Sequence, residues 1–354
     1  MSEAGAGYRV AVVGATGAVG QTMLEILRSR EFPASEVVPF ASERSAGREL
    51  DGVGTVRALS EGESIEGFDV ALFSAGSGVS REWAPRFAAA GAIVIDNSSC
   101  WRMDPDVPLV ISEVNPSALD ETPRGIVANP NCTTMQMVVA LKPIHDEVRL
   151  ERVILSSYQA TSGTGVAAVQ ELQSQAHALL HDMPPEPPTV YPHRIAFNVV
   201  PQVETFKDGD DYTTEERKVI AETRKILGEP ELRITATCVR VPVVTGHSES
   251  VNVQTVADLS PERCREILAA APGVVVLDDP AAGEYPLPAD VAGRDDVFVG
   301  RIRRDGSSER TLNMWIVGDN LRKGAALNAV QLAELLHARG LLRARARVGA
   351  GHAR

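Results

Sequence analysis

The chain of 354 residues holds only four cysteines, Cys100, Cys132, Cys238 and Cys264, widely spaced and with no CxxC pair. That excludes a disulfide-stapled scaffold, and a protein of this size can bury a core without covalent links. Long apolar runs are missing too: none approaches the ~18 residues of a membrane span. No basic segment followed by an apolar one opens the chain, so no export signal is expected and a reducing, cytoplasmic setting fits. Positive charge is in deficit. A net charge of −12 argues against a general nucleic-acid or anionic-membrane binder. No internal repeat is found. His177 and His181 are four apart on a predicted helix, but without a nearby Cys or acidic set they read as a solvated face, and no metal site is expected.

What is present is an alternation of short apolar strands and helices over the first 130 residues. Arg9–Val13 reads as a buried strand, and Ala18–Arg30 as a helix with Val19, Met23, Ile26 and Leu27 on one face. Strands are expected at Val37–Phe40, Val53–Leu59, Val70–Phe73 and Ile93–Ile95, with a helix near Ser80–Ala90. This is the pattern of a parallel sheet covered on both faces. In such sheets the ligand crevice lies beyond the carboxyl ends of the strands. Small and polar residues collect there: Gly14-Ala15-Thr16-Gly17, Ser74-Ala75-Gly76-Ser77-Gly78, Asp96-Asn97-Ser98-Ser99 and Asn129-Pro130-Asn131-Cys132.

The texture changes near residue 150. A strand (Arg152–Gln159), a helix (Gly165–His181), a proline-rich loop (Pro184–Pro201) and a helix (Thr214–Leu227) come first. Longer alternating strands follow at Arg233–Val241, Ser248–Ala257, Val297–Arg304 and Thr311–Val317, then a helix at Leu321–Arg339. That predicts a mixed sheet with helices on one face. The proline-rich loop matches no recognisable chemistry.

Gly14-Ala15-Thr16-Gly17-Ala18-Val19-Gly20 follows the first strand and opens the first helix, as a dinucleotide pyrophosphate requires. Its spacing is GxxGxxG. Where an NAD site would carry an acidic residue near the ribose, this chain has Glu43-Arg44-Ser45; Arg44 and Ser45 suit a 2′-phosphate and favour NADP. Cys132 stands where a strand ends and a helix begins, and thiols at helix N-termini fall from about 8.5 into roughly 3.5–7.5. A thiolate attacking an acyl compound gives a thioester that a nicotinamide hydride can reduce to an aldehyde. Such chemistry needs an acid/base. His247 follows a strand, and Gly246 before it permits a sharp turn expected to expose the ring.

With these motifs in order the chain resembles the aspartate-semialdehyde dehydrogenase family over nearly its whole length. The resemblance runs from Val12–Gly20 through Ser42–Gly47, Asp96–Ser99 with Trp101–Asp104, and Asn129–Thr133. It continues through Tyr158–Gly163, Glu215–Lys218, Arg240–Val243 with Gly246–Glu249, and Asp319–Gly324. It implies an α/β Rossmann NADP-binding domain (1–132, completed by a C-terminal helix, 320–340). An α+β catalytic and dimerisation domain with a mixed sheet (133–319) and a basic tail (341–354) would follow. It implies Cys132 as nucleophile, His247 as acid/base, and Gln159 as the residue orienting substrate. Arg102 and Lys218 would hold phosphate, with Asn131 near them; Arg240 would take the substrate carboxylate and Glu215 its amino group. Gly14, Thr16, Gly17, Ala18, Val19, Arg44, Ser45, Ser162, Gly163 and Asn320 would line the cofactor site. The implied enzyme is a homodimer that reduces aspartyl 4-phosphate with NADPH in lysine, methionine and threonine biosynthesis. The alternatives are N-acetyl-γ-glutamyl-phosphate reductase, whose nucleophile usually sits in an Asn-Pro-Gly-Cys run, and a non-catalytic NADP-binding thiol sensor. Cys100 departs from the family, which more often has a small residue without a thiol there.

Overall fold

The computed structural model describes residues 7–342. It divides into two units. One takes the chain up to Val110, Pro116–Asn129 and the segment from Ala329; the other takes Ile111–Asn115 and Pro130–Asn328. Residues 343–354, most of the predicted basic tail, lie outside the described residues.

In the first unit, β1 (Tyr8–Val13), α1 (Ala18–Ser29) and β2 (Ala34–Ala41) come first, then the hairpin β3 (Glu49–Leu50) and β4 (Gly54–Thr55) and the short β5 (Arg57–Ala58). β6 (Val70–Phe73), α2 (Gly76–Ala89), β7 (Ile93–Asp96) and β8 (Ile126–Ala128) complete it. The sheet order is β5-β2-β1-β6-β7-β8, all parallel. β6 is buried along its whole length, as a strand covered on both faces must be. The chain leaves β1 toward β2 and returns to β6 on its other side, so strand order reverses between β1 and β6, where such sheets open a ligand crevice.

The strand expected at Val53–Leu59 is split. Val56 exchanges backbone hydrogen bonds with Arg48 and Gly47, which draws this stretch into the hairpin and leaves only Arg57–Ala58 to the sheet. At the C-terminal end of the described chain, Glu334 pairs with Arg30 at 2.8 Å, and the Tyr8 hydroxyl lies 2.9 Å from His337 Nδ1.

In the second unit, α3 (Cys132–Val148) leads to β9 (Leu150–Gln159), α4 (Val166–Leu180), α5 (Thr214–Leu227), β10 (Arg233–Arg240) and β11 (His247–Thr255). α6 (Pro261–Ala270), β12 (Val274–Val276), α7 (Pro288–Val291), β13 (Val297–Arg304) and β14 (Thr311–Gly318) follow. The sheet order is β10-β9-β11-β14-β13-β12, parallel at both edges and antiparallel between. α3 packs on β9, β11, β13 and β14, and α5 on β10.

α5 begins with a complete capping box between Thr213 and Glu216 and ends at Gly228 in the left-handed region. α6, which the apolar periodicity did not predict, is marked by Ser260 as cap and Pro261 at its first position. The last predicted helix is broken. Arg322–Ala326 form a π-helical turn, with Gly324 N–H on Asp319 O and Ala326 N–H on Leu321 O, before α8 (Leu327–Ala338) resumes. The Asp319 carboxylate accepts the N–H groups of Leu321 and Arg322 and so caps the start of this turn. No helix among the described residues is long and apolar enough to cross a membrane.

Candidate active site

In the first unit, the turn after β1 leaves its backbone bare. Gly14 has φ +87°, and a Cβ there would stand 2.3 Å from the Ser74 carbonyl oxygen, so no larger residue fits. The turn opens on a cavity of about 770 Å³ walled by Gly14, Thr16, Gly17, Arg44, Ser74 and Trp83 among others. That is ample for part of a dinucleotide. Arg44 and Glu43 both stand on this wall, while Ser45, Ala18 and Val19 do not.

Arg102 is buried in the same unit. Its Nε donates to Asn129 O at 2.9 Å and an Nη to Asn97 O at 2.7 Å. Behind it the Asp96 carboxylate accepts from the hydroxyls of Ser80 (2.7 Å) and Ser98 (2.6 Å), and Trp101 donates to Ser80. Burial pushes Asp96 upward and these hydroxyl donors oppose it. The Asp96–Arg102 stretch is therefore a hydrogen-bonded loop that fixes where the Arg102 guanidinium stands.

In the second unit, Cys132 is the first residue of α3 and half-buried. Asn131 caps the helix, its Oδ1 accepting from the N–H groups of Thr133 (2.9 Å) and Thr134 (3.2 Å). The Asn131 N–H donates to Glu222 at 2.7 Å and its Nδ2 to Glu215 at 2.9 Å. Glu215 also takes Gln159 Nε2 at 3.3 Å, and the same amide reaches Thr133 (2.7 Å) and Ser157 (3.2 Å). Glu215 is thus turned inward at 4% exposure, holding Asn131 and Gln159. Lys218 lies 3.6 Å from its second oxygen and pairs with Glu204.

The strands bring the other side chains together by their period of two. Arg240 of β10 pairs in register with Gln159 of β9, and Cys238 with Ser157. Glu249 of β11 also lies opposite Ser157, and one step past the Ser248–Tyr158 pair places His247 beside Gln159. One face therefore carries a front row, Arg240–Gln159–His247, and a row behind it, Cys238–Ser157–Glu249.

The Ala160 peptide holds two members of the front row. Its carbonyl accepts Arg240 Nη1 at 2.6 Å and its N–H donates to His247 Nδ1 at 3.0 Å. Arg240 is 5% exposed, its Nε has no partner, and no carboxylate among the described residues pairs with it. A buried guanidinium so left is an anion site in waiting.

His247 is not exposed, contrary to expectation. Gly246 does take φ +96°, but His247 already belongs to β11 and its ring turns to the inner face. There the turn after β9 covers it: a Cβ on Gly163 would lie 3.2 Å from Nε2 and 3.3 Å from Arg240 Nη1. Burial pulls the His247 pKa well below 6.5, and the Arg240 charge adds to this. With Nδ1 accepting the Ala160 N–H, the proton of the neutral ring belongs on Nε2, which has no partner.

Ser162 and Asn320 hydrogen-bond each other, and Asn320 Oδ1 also accepts the Gly246 N–H at 2.9 Å. The proline-rich loop proves relevant. Its Val200 exchanges two backbone hydrogen bonds with Arg240, and its Tyr191 ring lies 5.8 Å from the Arg240 guanidinium. Ala160 and Tyr191 escaped sequence reasoning, one because it acts through its backbone, the other because its contact is made through tertiary packing. Burial raises the thiol pKa of Cys100, Cys238 and Cys264, the last to about 12.

A doubly wound nucleotide-binding sheet in one unit, with a helix-start thiol, a neutral imidazole and an unpaired buried guanidinium in the other, defines a thiol-dependent dehydrogenase. Comparison with known proteins narrows the class. Residues 9–122 match the family profile "Semialdehyde dehydrogenase, NAD binding domain", and residues 141–323 match "Semialdehyde dehydrogenase, dimerisation domain". The aspartate-semialdehyde dehydrogenase of Aquifex aeolicus is 54% identical over 95% of this chain and 100% of its own length. That of Bacillus subtilis is 49% identical over 94% and 98%. The crystal structure of aspartate semialdehyde dehydrogenase II from Vibrio cholerae complexed with ASA superposes with a TM-score of 0.90 at 46% identity, covering 94% of this chain and 98% of that one. The Candida albicans enzyme with NADP gives 0.73 at 26%, covering 94% and 99%. The chain belongs to the aspartate-semialdehyde dehydrogenase family.

Proposed function

We propose that this enzyme reduces L-aspartyl 4-phosphate to L-aspartate 4-semialdehyde, releasing phosphate, on the route to lysine (through diaminopimelate), methionine, threonine and isoleucine. The observation that carries the reading is the buried, carboxylate-free Arg240 in one row with Gln159 and a neutral His247, within the unit that holds Cys132. Cys132 attacks the acyl carbon and phosphate leaves, giving a thioester on Sγ. NADPH, when bound, supplies the hydride that reduces this thioester. His247 presents Nε2–H to the thioester oxygen, so it stabilises by hydrogen bond the oxyanion that hydride transfer leaves, and this collapses directly to aldehyde and Cys132 thiolate.

Arg240 binds the α-carboxylate, and Arg102 and Lys218 neutralise the phosphate. Glu215 faces the ammonium while keeping Asn131 and Gln159 in place. The bare turn at Gly14 suits a pyrophosphate and Arg44 a 2′-phosphate, with Ser45, Ala18, Val19, Ser162, Gly163 and Asn320 completing the cofactor site. Most of the cofactor residues thus belong to the first unit and most of the substrate residues to the second. The match to a dimerisation profile supports a homodimer.

Phosphate-dependent reduction of NADP⁺ by aspartate semialdehyde tests the reading, with NAD⁺ and N-acetylglutamate semialdehyde as comparators. Turnover of the N-acetylated aldehyde at comparable kcat/KM would overturn it, because Glu215 would then face no positive charge.

A further inference from the structure

The row behind the catalytic groups contains a carboxylic acid for which the reaction has no use. Glu249 sits two residues beyond His247 on β11, so both side chains leave the strand on one face. It is fully buried between β9 and β14, opposite Ser157 on one and Ile316 on the other. Neither carboxyl oxygen has a hydrogen-bond partner, and no cation pairs with it among the described residues. An ionised carboxylate so enclosed is very costly, whereas a neutral one carries a proton it can donate. Burial raises its pKa well above 4.5, and the Gln136 amide is the side chain that opposes this.

Gln136 joins the two elements that must cooperate. It lies on α3 four residues after Cys132, on the same helix face, and its Nε2 donates to the His247 carbonyl oxygen at 3.3 Å. Its Oε1 rests against Gly318, the register partner of His247 on β14, where a Cβ would come within 2.9 Å. The amide is thus confined between the nucleophile helix and the start of the histidine strand.

We propose that Glu249 and Gln136 are a positioning pair that sets the height of His247 above the Cys132 helix. This rests on the functional reading above, in which His247 Nε2–H meets the oxygen of the group bound at Cys132. The carboxylic acid orients the Gln136 amide, and the amide holds the backbone of His247. Neither residue touches substrate.

The test uses the full-length enzyme, with wild-type turnover of aspartate semialdehyde measured in parallel. Absence of wild-type turnover would sink the functional reading alone; the positioning pair is judged by variants relative to wild type. Glu249→Ala and Gln136→Ala, corrected for folded fraction, are expected to lower kcat by about 10–100-fold with KM for aldehyde and NADP⁺ within about twofold. The kcat–pH profile should shift in both, because His247 leaves its place. Glu249→Gln, which keeps a neutral donor, should retain kcat within about threefold. Loss of thermal stability in both alanine variants with kcat and pH profile unchanged would overturn the proposal. So would a Glu249→Gln enzyme as impaired as Glu249→Ala.

Discussion

The two units handle a buried carboxylate in opposite ways. In the first, Asp96 is enclosed but surrounded by donors from Ser80 and Ser98, and it organises a loop. In the second, Glu249 is enclosed with neither carboxyl oxygen hydrogen-bonded, and the Gln136 amide is the side chain that opposes the effect of burial. The cofactor unit presents backbone, a bare glycine turn and a fixed loop, while the substrate unit presents side chains stacked in rows. A ligand recognised by backbone asks little of side-chain protonation. A reaction run by side chains depends on it.

The largest effect expected on this contrast comes from Cys132→Ala. Removing the nucleophile should abolish turnover, by more than about 10⁴-fold, yet leave NADPH binding by the first unit intact. Iodoacetamide labelling with peptide mapping should find Cys132 far faster than Cys100, Cys238 or Cys264, whose thiols burial holds protonated. Faster labelling of Cys100 with activity intact would break the contrast at its root.

His247→Asn should slow turnover by roughly 10²–10⁴-fold with binding preserved. A loss under about tenfold would assign the stabilisation of the substrate oxygen to another group. In the cofactor unit, Arg44→Ala should weaken NADP by roughly 10–100-fold, the worth of a charge-assisted hydrogen bond, and barely alter NAD. Equal losses for both cofactors would make Arg44 structural.

The smallest effects are on stability, and they have opposite signs on one strand. His247 is depressed in the folded state, so the unfolded chain binds its proton first, and stability is lost as pH falls below 6.5. Glu249 is raised, so its stabilising proton is fully present below 4.5 and stability is lost as pH climbs above that value. Glu249→Gln should therefore gain on wild type in thermal melts by roughly 2 °C per pH unit as pH first climbs above 4.5. A constant difference across that range would mean that Glu249 is ionised in the native protein.

Legibility in the sequence follows the same divide. The turn at Gly14 and the helix after it are local, so spacing alone disclosed them, and the bounds expected for α5 coincide with a capping box and a left-handed glycine that are local too. The split of Val53–Leu59 and the π-helical break before α8 were not legible, because each depends on a hydrogen bond chosen in three dimensions. The candidate residues Cys132, Gln159, Arg240 and His247 were found as types in motifs. Their arrangement in one row was hidden, since it needs the register of three strands. The burial of His247 was misjudged because nothing near residue 247 discloses that the turn at Gly163 will cover it.

That register has a consequence for how the gene can change. The front row depends on whether Gln159, Arg240 and His247 sit at the correct parity on neighbouring strands, so a single-codon insertion inside β9 would turn Gln159 outward while leaving every active-site residue in the sequence. A two-codon insertion there would restore the facing of the strand and cost chiefly its alignment. Length variation among descendants of this enzyme should accordingly collect in stretches such as the proline-rich segment and the hairpin after β2. The interiors of β9, β10 and β11 should tolerate substitution far more readily than any change in residue count.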